Sequence, residues 1–130
     1  MRHEEAKMVP SSLVSVVDDD ESVRESLPDL LREFGFTSLS FSSAEEFLAS
    51  EYIGLTNCLI LDVGMPGMSG LELQRELKLR GQNVPIVFIT ANRDEGVRPR
   101  VLAQGAVACL FKPFSDTALL EALNMALRVN

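Results

Sequence analysis

Short apolar runs and helically spaced apolar positions take turns along the chain. "LVSVVD", from Leu13 to Asp18, reads as a strand. Val23, Leu27, Leu30, Leu31 and Phe34 then recur at the spacing of one helix face, and Gly35 stops that helix. Pro28 within it should bend the helix or leave a carbonyl unpaired. "FTSLSF", Phe36 to Phe41, alternates as a second strand. Ser43 and Glu46 have capping-box spacing and open a short helix to about Ser50. "CLILD", Cys58 to Asp62, is the third strand. Ser69 and Glu72 repeat the capping-box spacing before a helix to about Arg80, with Gly81 as its stop. "VPIVFIT", Val84 to Thr90, is the fourth strand. A weaker helix over Asp94 to Gln104 tolerates Pro99 only in its first turn. "AVACLF", Ala106 to Phe111, is the fifth strand. Ser115 caps a last helix with Leu119, Leu123, Ala126 and Leu127 on one face.

Five strand–helix pairs in strict alternation predict an α/β fold with a parallel sheet covered on both faces. The continuous apolar runs of strands three, four and five place these in the sheet interior. Open sheets of this kind bind ligands beyond the carboxyl ends of their strands. The length, 130 residues, suits one domain. No apolar run approaches a bilayer span, and the start carries acids and lacks the apolar segment of a secretory signal. Residues 1–12 read as a flexible tail with a lone His3, and 13–130 as the domain, in the cytoplasm. The net charge of −7 argues against direct nucleic-acid binding. Cys58 and Cys109 lie inside apolar runs and read as buried thiols in a reducing compartment.

The chemistry concentrates where the strands end. The first ends at Asp18, followed by Asp19; the third at Asp62; the fourth at Thr90; the fifth runs into Lys112. The second offers only serines. Three carboxylates gathered at one rim repel one another, and a hard divalent cation with oxygen ligands, Mg²⁺, offsets that cost. Lys112 adds a point charge and Thr90 a hydroxyl, which together suit a tetrahedral oxyanion at Asp62. Asp62 is then a candidate nucleophile that forms an aspartyl-phosphate. Gly64 offers a backbone carbonyl close to the ion. Each element alone has an ordinary account: "DDDE" as a helix cap, Thr90 as a strand end, Lys112 as a solvated turn, "MPGMSG" as a loop. The joint placement at four strand ends favours the chemical reading.

The chain resembles the receiver domain of bacterial two-component response regulators, in particular the nitrogen-fixation regulator subclass. The resemblance rests on "VVDDDESVRESL", "LILDVGMPGMSG", "VFITA", "QGA" and "FKPF", in order, and runs from about Leu13 to Arg128. It implies a flavodoxin-like (βα)5 fold with strand order 2-1-3-4-5. It implies that Asp62 accepts phosphate from the histidine of a sensor kinase. Asp19, Asp62 and the Gly64 carbonyl would bind Mg²⁺, with Asp18 acting partly through water. Thr90 and Lys112 would hold phosphoryl oxygens, Ala91 would keep the pocket open to the donor, and Lys112–Pro113 would be cis. Such a protein is a phosphoacceptor that transfers and loses its own phosphate, not a turnover enzyme. A downstream protein or phosphorelay partner and a phosphorylation-dependent dimer are within its repertoire. If Asn130 is the natural end, the signal passes by protein contact alone.

Two positions depart from the family pattern. Cys109 stands where an aromatic switch residue is usual, three before Lys112. Phe111 shares its strand face and is either an exposed partner anchor on the surface of helix four, strand five and helix five, or packed under helix five. Gly64 stands where other members carry a side chain that tunes dephosphorylation, while Asn92 remains to orient a water. Gly64 also counts against a haloacid-dehalogenase-type phosphatase, which needs a second acid there. "DDDES" after strand one counts against a flavodoxin-like phosphate cradle. The remaining rival is a receiver-fold interaction module that works without phosphorylation.

Overall fold

The computed structural model describes residues 12–128. It contains β1 (Leu13–Val17), α1 (Glu21–Glu33), β2 (Thr37–Phe41), α2 (Ala44–Leu48), β3 (Cys58–Asp62), α3 (Gly70–Leu79), β4 (Ile86–Thr90), α4 (Val97–Ala103), β5 (Ala108–Phe111) and α5 (Asp116–Arg128). The strands form one parallel sheet in the order β2-β1-β3-β4-β5. The expected fold and order are therefore observed. β5 is an edge strand with only Cys109 buried, so its apolar run does not mark the sheet interior. The central strands are β1, β3 and β4, and the serine within β1 had hidden its central place. Ser15 sits there because its hydroxyl pairs with Thr56, which in turn donates to the Tyr52 carbonyl.

Side-chain alternation splits the core into two layers. Leu59, Leu61, Phe88 and Cys109 pack with Phe47 of α2, Leu73 and Leu77 of α3 and Val101 of α4. Cys58, Ile60, Val87 and Ile89 pack with Leu27 and Leu31 of α1 and Leu119 and Leu123 of α5. The two cysteines are thus free and lie on opposite sides of the sheet. Burial pushes the Cys58 thiol up to about 12 and raises that of Cys109 as well.

Local signals act mostly as their chemistry dictates. Ser69 and Glu72 close a full capping box on α3. Ser43 accepts the Glu46 N–H, but Glu46 returns its carboxylate to the Ser42 N–H, so α2 has a cap without the reciprocal box. Ser115 caps α5 through Ala118. α1 runs on past Pro28, and Pro99 falls in the first turn of α4, where a missing N–H costs nothing. The expected tail and His3 lie outside the described residues, except for Ser12, whose carbonyl accepts the Thr37 N–H just ahead of β1. No helix among the described residues is long and apolar enough to cross a membrane.

The turn behind β3 follows from two glycines. Gly67 adopts φ +73°, where a side chain is disfavoured. Gly70 opens α3 pressed against the end of β3: its N–H donates to the Val63 carbonyl at 2.9 Å, and a Cβ there would stand 2.2 Å from the Asp62 carbonyl oxygen. Gly64, in contrast, has nothing within 4 Å of a Cβ. Gly70→Ala is therefore expected to lower unfolding free energy by about 2–3 kcal/mol, and Gly64→Ala to change it by no more than about 1 kcal/mol. Urea unfolding of the two variants checks this; equal effects would contradict it.

Candidate functional site

The parallel sheet carries all its carboxyl ends to one rim, so β1, β3, β4 and β5 deliver Asp18, Asp62, Thr90 and Lys112 to one place. Registry sets their heights: Asp62 pairs with Ile89 and Thr90 with Phe111. The Lys112 N–H donates to the Thr90 carbonyl at 2.8 Å and the Val63 N–H to Ile89 at 3.1 Å, which extends the ladder past the strand ends. The Lys112–Pro113 peptide is cis, as the resemblance implied.

Asp18 is fully buried, and each of its polar atoms is held. Its backbone N–H donates to Phe41, its carbonyl accepts from the Arg24 guanidinium at 2.9 Å, and one carboxylate oxygen accepts the Asp20 N–H at 2.9 Å. The other takes the Lys112 ammonium at 2.9 Å. The same ammonium stands 3.8 Å from an Asp62 oxygen. Asp62 is 6% exposed and Thr90 2%, whereas Asp19, Gly64 and Ala91 are exposed. The pocket thus has a buried floor and an open mouth.

Electrostatics follow from that floor. Burial first, and the Asp18 charge second, push the Asp62 carboxyl up to about 7; Lys112 offsets them only in part. Burial also works against the charge of Lys112, yet the hydrogen bond to Asp18 and the charges of Asp62 and Asp18 outweigh it and hold the ammonium above its usual range. A cluster that one lysine leaves short of positive charge suits a further cation. One carboxylate oxygen from each of Asp18, Asp19 and Asp62 lies within 4.8 Å of the other two, and an all-oxygen donor set is that of a hard divalent ion. The residues present therefore fit a metal of that class.

Thr90 Oγ1 accepts the Asn92 N–H at 3.0 Å, and Asn92 Oδ1 accepts the Asp94 N–H at 2.9 Å. The Asn92 side chain thus shapes the β4–α4 loop in this conformation. Cys109, at the position where a switch residue is usual, is 3% exposed and belongs to the core layer under α4, a buried thiol as its apolar run implied; its strand position points into the sheet face that α4 covers. Phe111 is half-buried on the α4 side, not under α5, with the Arg98 guanidinium 4.4 Å and the Arg93 guanidinium 5.1 Å from its ring centroid. Arg98 also donates twice to the Cys109 carbonyl, at 3.1 and 2.8 Å.

Four contributors escaped the sequence reading. Arg24 and Arg98 act on backbone carbonyls, which no residue pattern announces. Gly70 carried a signal, a glycine just after an N-cap serine, where a helix start does not otherwise call for one. Glu45 was legible only as a first-turn acid of α2.

Residues 14–124 match the response regulator receiver domain family. Nodulation protein W of Bradyrhizobium diazoefficiens is 45% identical over 112 residues, which are 86% of this chain and 49% of that protein. The solved structure of response regulator StyR superposes with a TM-score of 0.85 at 46% identity, covering 92% of this chain and 61% of that one. That of FixJ-N gives 0.82 at 37%, covering 92% and 96%. The chain spans about half the length of the curated relatives it matches. With the fold, the strand order and the family match in agreement, the chain belongs to the receiver domains of two-component response regulators.

Proposed function

We propose that Asp62 accepts a phosphoryl group from the phosphohistidine of a sensor kinase. An Asp62 carboxylate oxygen attacks phosphorus in line, a P–O bond forms, the P–N bond breaks, and the histidine ring leaves with the electron pair. The observation that carries this reading is the Asp18–Lys112–Asp62 cluster: a buried carboxylate kept reactive beside a lysine that is near it but paired more closely with another acid. Lys112 has only to turn from Asp18 toward Asp62 to meet a new oxyanion. The Thr90 hydroxyl accepts one hydrogen bond and keeps its proton to donate to a phosphoryl oxygen. Mg²⁺, held by Asp19, Asp62 and the Gly64 carbonyl, with Asp18 partly through water, would neutralise phosphoryl charge. The exposed Ala91 and side-chain-free Gly64 leave the mouth open to the donor histidine.

The output face in this reading is α4, β5 and α5, where a downstream protein, a relay partner or a second phosphorylated copy would bind. Its coupling element is Phe111 between Arg93 and Arg98. Phe111 pairs with Thr90 in the sheet, and Arg93 lies three residues past Thr90, so a shift of the Thr90 hydroxyl reaches the ring from two sides. Phosphorylation then biases two arrangements of that ring and its arginines.

Acetyl phosphate with Mg²⁺ is expected to add one phosphoryl mass to wild type and none to Asp62→Asn. Beryllofluoride with Mg²⁺ should move the amide resonances of Arg93, Arg98 and Phe111 in wild type only. An unmodified, spectrally silent protein would favour an interaction module that works without phosphate. A second expectation concerns pH in the metal-free protein. Folded, Asp62 keeps its proton up to about 7; unfolded, it loses it near 3.8. The folded state binds more protons in between, so the contribution of this group to stability is full at acid pH and is lost as pH rises through about 7. Asp62→Asn should thus exceed wild type by on the order of 1–2 kcal/mol at pH 8 and match it near pH 4. Urea midpoints at both pH values decide; a difference that does not grow with pH counts against the assignment.

A further inference from the structure

We infer that Glu45 is the positioning residue of the β3–α3 loop, and through it of the Gly64 carbonyl beside Asp62; the inference rests on the metal-binding reading above. The loop, residues 63–69, leaves β3 at Asp62 and is fastened behind by Gly70 and by the Ser69–Glu72 box. Met65 is buried in the core layer that also holds Phe47 of α2. In the outer part Pro66 and Gly67 are exposed, and Met68 is only partly buried against that layer.

Glu45, one residue into α2 and 23 residues away in the chain, reaches across to it. Its Oε2 accepts the Met68 N–H at 2.9 Å. The loop passes so close that a Cβ at Gly67 would lie 2.8 Å from the same oxygen. The carboxylate and the left-handed glycine are therefore one device: Gly67 makes the room and Glu45 fills it. The support behind Glu45 is rigid, because its neighbours Ala44 and Phe47 are fully buried and Ser43 caps the helix. The hydrogen bond from the Met68 N–H, the largest influence, holds the Glu45 carboxyl below its usual range, so the acceptor is charged at neutral pH and the contact is of the stronger, charge-assisted kind. A loop fixed at its back by α3 and at its front by α2 has one path left between Asp62 and Ser69. Groups that orient the donors of a metal in this way typically change its affinity without touching it.

The test is calorimetric titration of Mg²⁺ into wild type, Glu45→Ala and Glu45→Gln, with amide hydrogen exchange at Met68 in the metal-free proteins. Glu45→Ala should weaken Mg²⁺ binding about tenfold and speed Met68 exchange. Glu45→Gln, which keeps an acceptor oxygen, should stay within about threefold of wild type. Unchanged Mg²⁺ affinity in Glu45→Ala, with or without faster exchange, overturns the inference and reduces Glu45 to a stabilising contact. A wild type that takes up no Mg²⁺ overturns the metal reading itself, and the wild-type titration alone distinguishes that outcome.

Discussion

Two buried carboxylates share one lysine at the floor of the site. That imbalance of charge organises the rest of the molecule. Asp18 and Lys112 stand 94 residues apart in sequence, yet their atoms meet at 2.9 Å. They can do so only because every strand of the sheet points the same way, so that all carboxyl ends share one rim. The sheet supplies the low-dielectric floor that makes the charges matter. The ladder of backbone hydrogen bonds past the strand ends fixes where those charges stand.

Rigidity is distributed unevenly around that centre. The floor is over-determined: Asp18 is held through its N–H, its carbonyl and both carboxylate oxygens. The loop after β3 is held from outside, by a glycine against the Asp62 carbonyl and by a carboxylate from the neighbouring helix. The loop after β4 is held by its own short side chains, Thr90 and Asn92, with Asp94 reaching the Gly96 N–H. In the proposed reading, a site that admits a donor, binds an anion and passes the signal on would use this gradient: fixed acids, a supported loop after β3, and a loop after β4 whose contacts are local enough to rearrange.

Strand and helix alternation, the four polar strand ends and the caps at Ser69 and Ser115 were legible because each depends on residues close in sequence or on a simple period. The central place of β1 was obscured by Ser15, whose partner Thr56 is 41 residues away. The edge position of β5 was obscured by an apolar run that serves one covered face and a pair of arginines. Cys109 stands where the family usually has a ring, and in the fold it is a small core residue, while Phe111 two positions on is half-buried beside two arginines. The backbone contacts of Arg24, Arg98 and Glu45 were invisible for a common reason. Long polar side chains that reach backbone groups leave no periodic trace.

The double hydrogen bond from Arg98 to the Cys109 carbonyl has a bearing on how this protein meets others. β5 borders the sheet, and an exposed border strand offers its carbonyls to any extended chain that comes alongside. Here the guanidinium already donates twice to one of them and stands over the Phe111 ring. A visitor seeking to extend the sheet would first have to evict a charged side chain from both partners at once. That rim therefore favours contact by side chains over strand addition.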